Sequence, residues 1–149
     1  PRCCSSAASD VYKRQVLDYI SNIYSAFELI IDRDADYENI DALSMASDNV
    51  WCAGVILGNP IENWKNVDFN TLKSTLYWND ETPQEAVIKD ANPFDTLAWV
   101  INLRLSLNLN IPKGSKIITG SVIKTRSPKK GDVVTYNVGN LSETKIRLI

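Results

Sequence analysis

Residues 133–148, VVTYNVGNLSETKIRL, constrain the fold more than any other stretch of the chain. Two runs flank Gly139-Asn140, and in the second Thr144, Ile146 and Leu148 alternate with Lys145 and Arg147, the pattern of an antiparallel hairpin. Other short strand patterns precede it. Residues 26–31 alternate, with Phe27, Leu29 and Ile31 on one face and Ala26, Glu28, Ile30 and Asp32 on the other. VWCAGVILG reads as a buried strand closed by a turn at Gly58-Asn59-Pro60. TLKSTLYWN at 71–79 reads as a strand on an exposed sheet, followed by the loop NDETPQE, and KIIT at 116–119 as a short strand before the turn SPKKGD. Helical spacing is weaker: short helices are expected within 16–24 and in IDALSMASDN, ending near Asn49. The one strong helix lies at 92–107, with Asn92 as cap, Pro93 at the first helical position, Asp95 at the positive end of the dipole, and an apolar stripe of Phe94, Leu97, Ala98, Ile101 and Leu105.

With 149 residues, 44% of them hydrophobic, the chain can bury one compact core, and nothing in it marks a linker or an internal repeat. A net charge of −2 offers no field for nucleic acid or an anionic membrane, and no apolar run approaches a bilayer span. The expectation is a soluble, cytoplasmic protein. Cys3, Cys4 and Cys52 match neither a disulfide framework nor a zinc spacing. Histidine is absent, which excludes Ser-His-Asp and Cys-His catalysis and any imidazole-ligated metal. Carboxylates, hydroxyls, lysines or a metal on oxygen ligands must carry any chemistry. The opening PRCCSSAASDVYKRQ changes abruptly into periodic sequence at Val16 and has no apolar signal-peptide core; it resembles a translated sequencing adaptor. Residues 1–15 are therefore expected to be a non-native, disordered tail, and residues 16–149 the domain.

Glu28 is the residue that asks for an explanation. A carboxylate in the middle of an apolar strand is paired with a base such as Arg33, turned to solvent at an edge, or bound to a metal. Asp48-Asn49 sits between a helical stretch and a strand, where an Asx-turn is the simplest role. Thr119-Gly120-Ser121 can present hydroxyl and backbone N–H donors to a carboxylate or phosphate, although most such tripeptides are plain turns. The basic cluster Lys124, Arg126, Lys129 and Lys130 fits a solvated loop. Trp51, Trp64, Trp78 and Trp99 fit core or sheet-face positions. Motifs for dinucleotides, P-loop phosphates and EF-hand calcium are absent.

In order and spacing these pieces resemble the C-terminal half of the fumarylacetoacetate hydrolase superfamily, in the branch of 2-keto-4-pentenoate hydratases and 2-oxo-3-hexenedioate decarboxylases. In that branch a helix of the type VLAAIDHV runs into a strand P-A-L-E-I-V, matched by residues 16–31, VLDYISNIYSAFELII. An A-D-N segment before a strand ending in L-G is matched by Ser47-Asp48-Asn49 and Leu57-Gly58, and G-H-P-L-N-A-L-A-W-L by residues 91–100. A glycine turn, an I-L-T-G-S strand end and a P-V-x-x-G-D turn are matched by Lys113-Gly114, Ile117 to Ser121 and Ser127 to Asp132.

The resemblance implies an α+β fold, a β-rich curved sheet with a few helices packed outside it, N-terminally truncated. It implies that Glu28 is one of three carboxylates holding a divalent metal, Mg2+ or Mn2+, the other two lying in an E-x-E motif upstream of Val16. It implies that Asp48, Asn49, Thr119, Gly120 and Ser121 border the substrate. Trp51 and Cys52 stand where relatives carry serines, and Ala91-Asn92 replaces Gly-His, so the pocket's shape departs from the pattern. The implied reaction is hydration of a 2-hydroxy-2,4-dienoate of the 2-oxopent-4-enoate type in aromatic-compound catabolism, by a protein that is homo-oligomeric at full length and takes a small 2-oxo acid as its partner. Decarboxylation of 2-oxo-3-hexenedioate and cleavage of a diketo acid share the same enolate chemistry, and the general acid and base of relatives lie largely upstream, which would leave the fragment alone inactive. The competing reading is a non-catalytic assembly module in which Glu28 is a satisfied strand residue.

Overall fold

The computed structural model describes residues 15–149; the expectation for the tail falls, but for Gln15, outside the described residues. Residues 15–19 are helical.

The C-terminal hairpin forms as the sequence predicts. Strand β5 (Val133–Val138) pairs with β6 (Ser142–Arg147) antiparallel, Val134 opposite Ile146 and Val138 opposite Ser142. Alternation decides its faces: Val134 and Val138 of β5 and Ser142 and Thr144 of β6 are buried, while Glu143, Lys145 and Arg147 are exposed. On the other side of β5 lies β3 (Lys73–Trp78), with Ser74 opposite Val138 and Leu76 opposite Tyr136. β4 (Gln84–Val87) completes a four-stranded antiparallel sheet in the order β4-β3-β5-β6. The sequence places β4 in a loop because Gln-Glu-Ala has little strand propensity. Its pairing with β3 makes it a strand, supported by the ion pair from Lys73 Nζ to Glu85 Oε2 at 3.1 Å.

A second, two-stranded sheet joins β1 (Tyr24–Ile30) to β2 (Cys52–Pro60), with Glu28 opposite Val55. Two expectations for β2 fail. It alternates between partly buried and exposed residues instead of being buried throughout, and no turn closes it at Gly58-Asn59-Pro60, because Pro60 still pairs with Tyr24. The glycine serves close approach. A Cβ at Gly58 would be pressed against the Glu143 carbonyl oxygen and the hydroxyls of Thr144 and Ser25.

That approach brings the two sheets together through buried hydroxyls. Ser25 Oγ lies 2.6 Å from Thr144 Oγ1 and 2.9 Å from Ser142 Oγ, and the Ser25 N–H donates to Ser142 Oγ at 3.0 Å. Ser142 donates its only hydroxyl proton to the Asn59 carbonyl, which can only accept. The direction of the chain follows: Thr144 donates to Ser25, Ser25 to Ser142, and Ser142 to Asn59.

The apolar core centres on Ile61, Trp64 and Val138, against which Ile20, Ile23, Phe69, Leu72 and Phe94 pack. Helix α1 (Ala42–Ser47) starts where Asp41 accepts from the N–H groups of Leu43 and Ser44, and it stops at Ser47, short of Asn49. Helix α2 (Pro93–Ser106) begins at Pro93 as expected, but Asn92 makes no side-chain cap; it stands in the left-handed conformation (φ 44°), which turns the chain out of the preceding 3-10 turn at Ile88–Ala91. Its inner face buries Ala98 and sets Phe94 edge-on to Phe69, ring centroids 5.2 Å apart. Leu105, placed on that stripe by the sequence, is exposed, and so is Trp99.

Residues 107–132 hold neither helix nor strand, which corrects the strand expected at KIIT. A four-residue strand pattern becomes a strand only where a sheet edge takes it up, and Ile117 and Ile118 remain exposed. The segment is tied down at its far end. Arg126 lies 4.3 Å over the Trp78 ring and holds Glu81 through both guanidinium nitrogens at 2.8 and 2.9 Å. Asp132 accepts from the Trp78 indole, the Asn79 amide and the Lys129 N–H, and these donors hold its carboxyl below the ordinary aspartate range, the Asn79 amide foremost.

Candidate functional site

Glu28 is exposed. Paired residues point to the same side, so Glu28 shares its face with Ala26 and Ile30 of β1 and with Val55 and Leu57 of β2. Ile30, Val55 and Leu57 are themselves exposed, and the carboxylate stands in the middle of an uncovered apolar sheet face. Arg33 is not its partner; the guanidinium binds Asp48 instead. The neighbour of Glu28 is Cys52, which follows from the register: Ile30 pairs with Cys52 after a bulge in β2. The carboxylate accepting from the Cys52 thiol, aided by partial burial, pushes the thiol pKa up, so the sulfur stays protonated at neutral pH.

Asn49 is tied to the backbone of Cys52. Its Nδ2 donates to the Cys52 carbonyl at 3.2 Å, and the chain there follows a left-handed path through Asn49, Val50 and Trp51 (φ 51°, 51° and 60°). A β-branched residue at positive φ is a strained one, so Val50 marks a backbone held in place by its surroundings. Part of the hold is visible: the Ile31 N–H donates to the Trp51 carbonyl at 3.0 Å, and the Trp51 ring meets Tyr37 edge-on at 5.6 Å.

Asp48 faces the other way, into an open cavity of about 320 Å³ lined by Arg33, Asp36, Asn39, Ser44 and Trp51 among others. Three aspartates, Asp32, Asp36 and Asp48, surround the single guanidinium there, a balance that disfavours an anionic ligand in this cavity. Thr119, Gly120 and Ser121 lie in the segment without regular structure. Gly120 takes φ 113°, and the Ser121 hydroxyl bonds within its own turn, donating to the Ile123 carbonyl at 2.6 Å and accepting from the Ile123 N–H at 3.1 Å. No bond among the described residues links this turn to Glu28 or Asp48. The structure thus sets the Cys52 thiol against Glu28, ties Asn49 to the Cys52 carbonyl, holds Asp48 on Arg33, and leaves the hydroxyl turn apart. Sequence reasoning named Cys52 as a departure in the pocket's shape and did not connect it with Glu28; only the antiparallel register, with its bulge, reveals it as the neighbour of Glu28.

The residues present do not by themselves fit a metal centre. Among the described residues no group of three His, Cys, Asp or Glu side chains is arranged to hold a metal ion, and a hard divalent cation takes about six oxygen ligands. One carboxylate on an open face supplies a single arm of such a site.

No family model matches the chain. The fold nevertheless has close counterparts. The chain superposes on 4-oxalocrotonate decarboxylase from Pseudomonas putida G7 complexed with magnesium and adipate with a TM-score of 0.77 and 24% identity, covering 90% of this chain and 52% of that one. The complex of that enzyme with calcium and acetate gives 0.74 and 25%. This is the mixed α+β fold of the fumarylacetoacetate hydrolase superfamily. In sequence the chain is 26% identical over 141 residues to 4-oxalocrotonate decarboxylase of Pseudomonas putida and 28% identical over 151 aligned positions to 2-oxo-hept-4-ene-1,7-dioate hydratase of Escherichia coli. It spans about half the length of these curated relatives, 53% in each case. Fold and sequence together make the 4-oxalocrotonate decarboxylases and the 2-oxo-hept-4-ene-1,7-dioate hydratase its homologues, over about half of their length. Among the described residues no helix is long and apolar enough to cross a membrane.

Proposed function

We propose that this chain is part of a lyase acting on a small 2-oxo acid, in which Glu28 contributes one oxygen ligand to a divalent cation, Mg2+ or Mn2+, completed by carboxylates outside the described residues. The observation that carries this is the position of Glu28, an exposed carboxylate at the centre of an uncovered apolar face, in a fold shared with a decarboxylase solved with magnesium and adipate. Apolar surroundings serve such a role, since covering the face removes water and strengthens every charge interaction there. The chain's own contribution is to hold Glu28 on a strand fixed by the Ser25 hydroxyl chain, with the Cys52 thiol donating to it.

The reaction read from the sequence is hydration of a 2-hydroxy-2,4-dienoate from aromatic-compound catabolism. Decarboxylation of a 2-oxo-enedioate is supported equally, because relatives of both kinds match to the same degree. Asn49, bonded to the carbonyl of the Cys52 that neighbours Glu28, is the better placed of the proposed substrate residues; Asp48, engaged by Arg33, would border the substrate through that pair. Thr119, Gly120 and Ser121 would meet the substrate only by turning from their local bonds. The whole enzyme is proposed to be a homo-oligomer.

Calorimetric titration of MgCl2 and MnCl2 tests the reading. This chain alone is expected to give weak or no binding and no turnover of 2-hydroxypenta-2,4-dienoate, and the intact gene product a clear isotherm that Glu28→Ala abolishes. Equal affinity of the intact protein and its Glu28→Ala variant sinks the ligand role.

A further inference from the structure

The face that carries Glu28 ends on a cation. Side chains two apart on a strand share a face, so Tyr24 and Ala26 lie on the same side of β1 as Glu28, while Ser25 and Phe27 turn inward to the hydroxyls of β6 and the ring of Tyr136. Over the Tyr24 ring stands the Lys116 ammonium, 5.9 Å from the ring centroid. A ring face attracts an ammonium without consuming its N–H donors, and among the described residues Lys116 forms no ion pair. Its charge is thus positioned and still open to an anion. Arg33, just beyond the other end of β1, is by contrast taken up by Asp48.

Between the two charges the face is apolar. Ala26 pairs with Leu57 there, midway between the Glu28–Val55 and Tyr24–Pro60 pairs. Glu28 and Tyr24 stand about 13 Å apart along the strand at about 3.3 Å per residue. An extended six-carbon chain covers about 6 Å of this at about 1.2 Å per bond, and the polar contacts at its two ends take up the rest. A small acid with its reacting end at Glu28 and its carbon chain over Ala26 and Leu57 therefore directs its far end at Lys116. We propose that Lys116 binds the second carboxylate of a dicarboxylic 2-oxo acid and so sets a preference for the dioate over the corresponding monoacid. The assignment rests on the reading of Glu28 as the reacting end of the site. It also gives a role to the 116–119 run, which enters no sheet yet carries Lys116 to the Glu28 face.

Calorimetric titration of the intact gene product, saturated with MgCl2, tests it with two probes of equal chain length, 2-oxoadipate and 2-oxohexanoate, which differ only in the far carboxylate. 2-Oxoadipate is expected to bind at least about tenfold more tightly, the effect of one hydrogen bond to a charged group. Lys116→Met should bring the two affinities within about twofold of each other by weakening 2-oxoadipate alone, and Lys116→Arg should keep the preference. A lysine that served only to pack on Tyr24 would, when replaced, weaken both acids alike. Equal binding of the two acids by the parent, a preference that Lys116→Met leaves intact, or an equal loss for both acids overturns the assignment and leaves the Glu28 reading in place. Binding of neither acid overturns the Glu28 reading and the assignment with it.

Discussion

The four-stranded sheet and the β1–β2 ribbon are built from strands of similar length and similar apolar content, yet they treat their faces in opposite ways. In the sheet, Leu76, Val134 and Val138 are buried on one face, and the other carries Lys73, Glu85, Lys145 and Arg147. Each face thus has its natural solvent. In the ribbon the inward face is held by hydroxyls, Ser25 with Ser142 and Thr144, and the outward face shows Ile30, Val55 and Leu57 around one carboxylate. An apolar face left open around a charge is a surface made to be covered at a site, whereas the sheet is complete as it stands. Stability and chemistry are thereby separated: the sheet holds the domain, and the ribbon carries Glu28 on a strand that the sheet fixes in place.

The sharpest way to break this division is at the seam. Gly58→Ala should destabilise the domain by about 3 kcal/mol or more, because its Cβ meets backbone oxygen and two hydroxyls that have nowhere to go; urea denaturation measures it, and a neutral result would mean that ribbon and sheet do not approach as described. Leu76→Ala in the sheet should cost about 3 kcal/mol through the cavity it leaves. Ser25→Ala should cost about 1–2 kcal/mol, leaving the buried Thr144 hydroxyl proton without its acceptor.

Acid acts on the sheet side through Asp132. Its folded pKa is depressed from 3.8, so the stability it contributes is present above the unfolded value and is lost as pH falls below about 4 through the folded one. In Asp132→Asn this part of the acid limb in thermal melts should disappear. The smallest effect is expected at Leu57→Ala on the open ribbon face, within about 0.5 kcal/mol. A loss there as large as that of Leu76→Ala would erase the distinction between the two regions.

Much of the fold was legible where the rule was local. The β5–β6 hairpin, β3, the 133–148 alternation and the start of α2 at Pro93 follow from period and turn chemistry. The failures share one cause, which is that the deciding contact lies far along the chain. Gly58-Asn59-Pro60 looks like a turn and is a strand because β1 pairs with it as far as Pro60 and β6 packs on Gly58. KIIT looks like a strand and is none because no edge pairs with it, while the poorly suited Gln84–Val87 is one because β3 does. At the site, Glu28 was legible as a carboxylate out of place, with exposure to solvent one of its alternatives, and its thiol neighbour and the pairing of Arg33 with Asp48 were not legible.

The sequence by itself determined which residues alternate, where the chain can turn, and that these 149 residues contribute no histidine, because these depend on residue type and spacing alone. The tertiary structure decided which face each strand turns to water. Burial is a property of neighbours: the same alternation yields a closed sheet where β3, β5 and β6 meet, and an open face with a carboxylate at its centre where β1 and β2 stand alone.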